Sequence, residues 1–409
     1  MTDKKLAKMS LSNWGGLSFK CRCKKIHKIN VDEFVIEQGS ANYIAHFAKK
    51  MGKVVHVVFE QKIDDKTKQL VLKKFGRSFD VTASILPDLN LLDVDTCDEI
   101  LAQAKEQTKV VVCVGGDNVC QYGKYASHKL GVQWILLNLV PDGDDFATDH
   151  ACLWKNGIKN ILPGKAPAVI LCDTQLAYPF CQQNLDKSFA TVLKNALVVF
   201  DHDFANKVQN QDICEVADFV AITAVKDAIN LSKKSFNKNL VGDIFACQYK
   251  ISVAKCLSQQ DENFVGVNAL TFALQSKYPE YSCGDLACAV ADVLAKIYLE
   301  IVQSNPLLTI DKDKYLHQSI AKKHFGVDVD PQYDWSVNND VYQQNLDFFK
   351  QNLNLILKIN NLCKALTKQK IEWDKQDALV CLMVCTDIYK TKGLLSFAND
   401  KGMFDIQND

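Results

Sequence analysis

Short, nearly continuous apolar runs recur through the first part of the chain, and stretches with helical spacing separate them. Val31 to Glu37 alternates loosely and predicts a strand. Ala41 to Met51 places Ile44, Phe47, Ala48 and Met51 at helical spacing and ends at Gly52, where a helix C-terminus favours glycine. Val54 to Phe59 is continuously apolar, as a strand covered on both faces of a parallel sheet must be. Lys66 to Phe75 reads as a helix, Val81 to Leu86 as a strand, and Thr96 to Gln107 as a helix with an acidic first turn. Val110 to Val114 is the strand before a pair of glycines. Trp134 to Val140, ended by Pro141, and Ala168 to Cys172, ended by Asp173-Thr174, predict two more. Strands alternating with helices imply a mostly parallel α/β sheet.

The pattern changes at Tyr178-Pro179. Ser188 to Val208, Asp218 to Ser235, Leu240 to Leu257, Val265 to Ser276, Asp285 to Gln303, Tyr342 to Leu366 and Lys375 to Lys390 all have helical spacing. Leu286 to Val302 is apolar nearly all round, which predicts a buried helix. The expected division is an α/β domain over residues 1–179 and an all-helical domain over 180–409. No repeat or low-complexity linker interrupts it, and residues 305–409 carry helical character alone.

Composition narrows the classes of function. The chain has 409 residues, 48% hydrophobic and 23% charged, which describes an ordinary globular protein. Formal net charge is zero, so nothing electrostatic favours a nucleic acid or a membrane surface as partner. The basic stretch Lys20 to Lys28 reads as a solvated edge. No apolar run is long enough to span a bilayer, and the charged N-terminus does not look like a secretory signal, so a cytoplasmic location is expected. The 16 cysteines then read as free thiols. Cys113, Cys172, Cys256 and Cys288 sit in apolar runs as small hydrophobes. Cys21 and Cys23 are one residue apart with no second pair at zinc-site spacing, which argues against a metal there.

The first candidate chemistry follows the strand Val110–Val114. Gly115-Gly116-Asp117-Asn118 leads into a helical run containing Lys124. Glycines let backbone approach a phosphate, and a helix N-terminus adds amide donors and a favourable dipole. The plain alternative is a tight turn. Glu60, ending the strand Val54–Phe59, stands where an acid can hold an adenosine ribose; that role would favour NAD over NADP. Its alternative is an exposed strand-end charge.

Several segments together carry a family resemblance. They are Ile36-Glu-Gln-Gly-Ser40, then Gly52-Lys53-Val-Val-His-Val-Val58, then Val112 through Ala126 with its glycine turn and Lys124. Val140-Pro141, Ala147-Thr-Asp-His150, Ala166 through Thr174 with Pro179, and Leu193-Lys-Asn195 through Ala205 complete them. Over roughly Val31 to Leu299 the chain resembles the iron-containing alcohol dehydrogenase and glycerol dehydrogenase-like superfamily. It is most like the glycerol dehydrogenase and glycerol-1-phosphate dehydrogenase branch, with dehydroquinate synthase more distant. The resemblance implies a Rossmann-like parallel-sheet domain followed by an all-helical domain. It also implies NAD(P)-dependent hydride transfer on a small polyol or polyol phosphate bound in an interdomain cleft. Gly115, Gly116, Asp117, Asn118, Lys124, Glu60 and Asp142 become cofactor-contact candidates, with NAD favoured. Asp149 would hold a polyol hydroxyl, and His150 is a candidate acid/base because its ordinary pKa suits neutral pH. A homo-oligomer is compatible with the same likeness.

The departures bear on activity. Asp117 replaces the third glycine of the family's turn, Gln121 replaces its acid, and Asp142-Gly-Asp-Asp145 replaces small hydroxyl residues. These charges would repel a pyrophosphate unless the segment is a solvated acidic turn. In the resembled family a divalent ion, held by one carboxylate and two histidines, polarises the substrate oxygen. Those positions fall on Thr191, on Asn268 (or Phe272, one turn along) and on Cys283. No histidine lies between His202 and His317, so no divalent metal is expected at that site. His202, within Asp201-His-Asp203, reads as a surface or interdomain histidine, and His317 and His324 as helix surface. Two functions follow: a glycerol dehydrogenase-like oxidoreductase with a degenerate metal site, or a catalytically inactive paralogue that keeps the fold for ligand binding, regulation or assembly.

Overall fold

The computed structural model describes residues 6, 9–258, 265–304, 313–330, 339–366, 371–391, 393–400 and 403–404. A short antiparallel hairpin, β1 (Ser18–Lys20) and β2 (Ile26–Lys28), precedes the main sheet. That sheet contains β3 (Glu33–Glu37), β4 (Val54–Glu60), β5 (Asp80–Leu86), β6 (Val110–Gly115), β7 (Gln133–Asn138) and β10 (Val169–Asp173). Its order is β3-β10-β7-β6-β4-β5, and all neighbours run parallel. A second hairpin, β8 (His150–Lys155) and β9 (Ile158–Pro163), is inserted between β7 and β10.

The connecting helices are α1 (Ile44–Met51), α2 (Asp65–Phe75), α3 (Val94–Leu101) and α4 (Asp117–Leu130). Side-chain caps set several of their starts. Asp64 accepts from the Thr67 amide at 2.9 Å and Asp93 from the Thr96 amide at 2.7 Å, which fixes where α2 and α3 begin. The Asp93 cap also explains why α3 starts ahead of the Thr96 that apolar spacing predicts. Every residue of β6 is buried, as the continuous apolar run Val110–Val114 requires. Because the strands are parallel, Glu60, Gly115, Asn138 and Asp173 all end at one edge of the sheet, the edge at which open α/β sheets bind ligands.

Further helices are α5 (Thr174–Gln183), α6 (Leu185–Leu193), α7 (Asn195–Gln209), α8 (Glu215–Ser232) and α9 (Lys238–Ser258). They are followed by α10 (Gly266–Lys277), α11 (Cys283–Ser304), α12 (Lys314–Phe325), α13 (Asn339–Gln344), α14 (Leu346–Leu366), α15 (Lys375–Tyr389) and α16 (Leu394–Asp400). The expected single helix Ser188–Val208 is two helices that meet at Lys194.

Two compact units emerge. The first holds Met1–Lys155, Lys159–Val192 and Glu215–Gln259; the second holds Asn156–Ile158, Leu193–Cys214 and Gln260–Asp409. The division therefore does not fall at residue 179. Helices α8 and α9 return to the first unit, where α9 packs on α5, β2 and β3. In the second unit α11 packs on α14, and α10 on α11 and α15. Its buried polar groups include Asp201, which accepts from the Leu394 amide at 3.0 Å and the Tyr298 hydroxyl at 3.2 Å. Burial pushes the Asp201 carboxyl up to about 7. His202 is likewise buried rather than on the surface. His317 is fully buried, 2.7 Å from the Asp387 carboxylate, instead of lying on an outer helix face. Among the described residues no helix is long and apolar enough to cross a membrane.

Candidate functional site

The glycine turn sits where β6 hands over to α4, entirely within the first unit. Gly115 has φ +155°, and a Cβ there would lie 2.4 Å from Glu60 Oε2. A Cβ on Gly116 would lie 2.3 Å from Asp142 Oδ1. Two carboxylates therefore press against this turn, and only glycine leaves them room.

Those carboxylates take the amides. The Gly116 amide donates to Glu60 Oε2 at 2.7 Å, and the Asp117 amide to Asp142 Oδ1 at 2.8 Å. Lys62 bridges the other oxygens, 2.9 Å from Glu60 Oε1 and 2.8 Å from Asp142 Oδ2. The start of α4 is thus capped by anionic groups, as unsatisfied N-terminal amides and the helix dipole favour. Burial drives the Glu60 carboxyl upward, against the nearby Lys62 ammonium. Burial would lower Lys62, yet the Asp142 and Glu60 carboxylates hold its ammonium well above the ordinary value. Burial also raises the Asp117 carboxyl, whose side chain lies where a Cβ on Gly143 would be. The Asn118 side-chain amide donates to the Leu89 carbonyl.

A second cluster adjoins the first. Lys124 is completely buried. Its ammonium donates to the Asp145 backbone carbonyl, to Asp145 Oδ2 at 3.1 Å and to Thr148 Oγ1 at 2.7 Å. Thr148 Oγ1 in turn donates to Asp145 Oδ1 at 2.6 Å. Burial opposes ionisation of Asp145, but Lys124, then His150 and Lys255, hold it well below the usual carboxylate range. Gln121 joins the clusters by donating to Asp117 Oδ1 at 3.0 Å and accepting from the Cys152 amide at 2.8 Å. His150 Nε2 stands 3.7 Å from Asp145 Oδ2, and burial lowers the His150 pKa. Asp149 is exposed.

Helix α9 pins the loop that carries Asp142 to Asp149. Lys255 pairs with Asp144 at 2.7 Å, Ser252 Oγ accepts from the Ala147 amide at 2.6 Å, and Gln248 donates to the Pro141 carbonyl at 2.8 Å. Asp144 and Asp145 are 7% and 5% exposed, so the acidic segment is not a solvated turn. Glu60, at 0% exposure, is not a solvent-facing strand end. The structure thus gathers Glu60, Gly115, Gly116, Asp117 and Asp142 around one turn, and places Lys124 and His150 around Asp145. Lys62, Asp145, Thr148 and Lys255 are additions to the residues singled out from sequence. Lys62 was legible only as the one cation close in sequence to Glu60.

In this arrangement the turn does not fit a dinucleotide pyrophosphate. Two amides already donate to carboxylates, and those carboxylates add negative charge where phosphates would lie. The positions that the resemblance implies as metal ligands are each engaged or placed separately. In the first unit Thr191 Oγ1 donates to the Ser188 carbonyl at 3.0 Å. In the second, Asn268 Oδ1 accepts from the buried Lys194 ammonium at 2.9 Å, and Cys283 opens α11. A hydroxyl and a carboxamide already facing an ammonium are poor ligands for a hard or borderline cation. Asp145, His150 and Cys152 have donor atoms within 4.8 Å of one another. Lys124 already neutralises that carboxylate, so an ion would have to displace the ammonium.

Residues 35–178 match the family model for iron-containing alcohol dehydrogenase. The glycerol-1-phosphate dehydrogenase [NAD(P)+] of Halalkalibacterium halodurans is 23% identical over 202 residues, 48% of this chain and 51% of that protein. The enzyme of the same name from Pyrococcus furiosus is 22% identical over 165 residues, 39% of this chain and 47% of that protein. The chain thus spans about half the length of the curated relatives it matches. An iron-containing alcohol dehydrogenase of Thermotoga maritima superposes with a TM-score of 0.61 at 12% identity, covering 92% of this chain and 98% of that one. A probable glycerol dehydrogenase of Sinorhizobium meliloti gives 0.58 at 12% identity, covering 91% and 96%. These neighbours share the fold: a parallel six-stranded sheet with flanking helices, then a mostly helical part. Over residues 35–178 the sequence thus matches the iron-containing alcohol dehydrogenase family, and the chain as a whole shares that fold.

Proposed function

We propose that this protein is a glycerol dehydrogenase-like member of its superfamily whose nucleotide cradle is capped by its own carboxylates, and that it does not perform metal-assisted hydride transfer at the family's site. It acts instead by binding a small ligand, in regulation or assembly. The carrying observation is the pair of bonds from the Gly116 and Asp117 amides to Glu60 and Asp142. The neutral side chains at Thr191, Asn268 and Cys283 support the same reading. Under it Lys124, Thr148 and Asp145 are structural, holding the Asp142–Asp149 loop against α4.

The test is an NADH titration of the purified protein at pH 8.5 and pH 6, with Glu60→Gln alongside. Wild-type binding is expected to be weak at pH 8.5 and stronger at pH 6, because burial raises the Glu60 carboxyl and protonation removes a charge from the cradle. Glu60→Gln is expected to bind at least about fivefold tighter at pH 8.5, since one like charge at contact distance costs on the order of 1 kcal/mol even in water. It should also lose most of the pH dependence. Tight wild-type binding at pH 8.5, with a Kd under about 10 μM, together with oxidation of glycerol or glycerol 1-phosphate, defeats the proposal.

That defeating result is the second reading, an active NAD(P)-dependent polyol or polyol-phosphate dehydrogenase. It is favoured by the likeness to glycerol-1-phosphate dehydrogenases over 165 to 202 residues. It requires Glu60 and Asp142 to leave the amides when dinucleotide arrives. NAD remains the favoured dinucleotide, because carboxylates at this edge repel a 2′-phosphate.

A further inference from the structure

The β1–β2 hairpin gathers soft metal ligands outside the site described above. Cys21 and Cys23 lie in the turn between the strands, and His27 lies in β2, paired in register with Phe19. Their donor atoms lie within 4.8 Å of one another. Cys23 Sγ and His27 Nε2 are 3.2 Å apart, near the roughly 3.6 Å that a thiolate and an imidazole subtend on a tetrahedral zinc ion with ordinary bond lengths. The turn is tight. The Cys21 amide donates to the Lys25 carbonyl at 2.9 Å, the Lys24 amide donates back to the Cys21 carbonyl at 3.1 Å, and Lys24 has φ +65°. That backbone turns the two thiols toward the imidazole.

The hairpin is short. Each strand has three residues, and an isolated two-stranded hairpin is marginal in water. Ile26, one of its few large apolar side chains, is 68% exposed. Yet His27 is fully buried and Cys21 nearly so. Lys20, Arg22, Lys24, Lys25 and Lys28 flank the cysteines in sequence, so the segment carries positive charge to offset two thiolates. Read from sequence, the single-residue gap between Cys21 and Cys23 speaks against a metal; the fold supplies the missing ligand by bringing His27 across the hairpin.

We propose that Cys21, Cys23 and His27 form a structural zinc site that staples this hairpin, with the fourth position filled by water or a further thiolate. The site is independent of the capped cradle and of the proposed function. Binding releases the thiol protons to solvent and changes no oxidation state.

Metal analysis and cobalt substitution of the full chain test it. Protein purified without chelator is expected to carry about one zinc per chain. Apo-protein titrated with Co²⁺ should develop thiolate-to-cobalt charge-transfer absorption, which zinc then abolishes. Cys23→Ser is expected to lower zinc retention tenfold or more, while Cys152→Ser leaves it unchanged. The cobalt titration of wild type keeps the test decisive if Cys23→Ser folds poorly. A metal-free preparation showing no cobalt charge-transfer band overturns the site. So does zinc lost from Cys152→Ser but kept by Cys23→Ser.

Discussion

Replacing Lys124 with methionine should expose what holds the candidate site together. The side chain is 0% exposed, and its ammonium meets Asp145 Oδ2 at 3.1 Å, Thr148 Oγ1 at 2.7 Å and the Asp145 carbonyl. Methionine fills similar volume but strands a carboxylate whose side chain is only 8% exposed. Removing one partner of a buried ion pair costs about 3–5 kcal/mol, because the remaining charge stays desolvated. The assay is urea denaturation of the full chain, followed by tryptophan fluorescence. The sign with pH is fixed. The folded-state pKa of Asp145 is depressed, so its stabilisation is present above the unfolded carboxylate value of about 4 and is lost as pH falls below it. In Lys124→Met that pKa should rise, so the difference from wild type is largest at pH 7–8 and shrinks on acidification. Adding Asp145→Asn should recover at least about half of the loss, the signature of an interacting pair in a double-mutant cycle. A loss under about 1 kcal/mol, or one independent of pH, would refute the account of Lys124 as a buried counter-ion.

One further outcome is expected. Asp201, raised to about 7, destabilises the second unit as pH rises through that value. Asp201→Asn should flatten the pH–stability profile and gain up to about 4 kcal/mol at pH 8.5, since each tenfold change in proton affinity is worth about 1.36 kcal/mol; parallel wild-type and variant melting curves from pH 5 to 8.5 would contradict this.

The sheet was largely legible because its determinants are local. Runs such as Val54–Phe59 and Val110–Val114 admit few structures other than buried parallel strands, and glycines and caps mark the ends between them. What escaped the sequence depended on partners far along the chain. The β1–β2 hairpin has strands too short and too charged to show a period. The return of α8 and α9 to the first unit depends on contacts such as Ser252 with Ala147 and Lys255 with Asp144, which helical spacing does not encode. Glu60 and Asp145 read as surface acids because burial of a carboxylate becomes tolerable only once its cation is known. Lys62 and Lys124 are those cations, the latter 21 positions from Asp145.

The bridge that Lys62 makes between Glu60 and Asp142 gives this protein a tethered competitor. Any anion approaching the α4 amides meets two carboxylates already anchored there, at an effective concentration that no free solute matches. Its apparent affinity is the intrinsic one multiplied by the fraction of molecules in which the tether has let go. A bridge favoured by roughly 2.7 kcal/mol lowers occupancy about a hundredfold. The usual expectation for a lysine beside a phosphate site is thereby inverted. Lys62 works for the incumbent, so losing a positive charge at this position would make the amides easier for an outside anion to win.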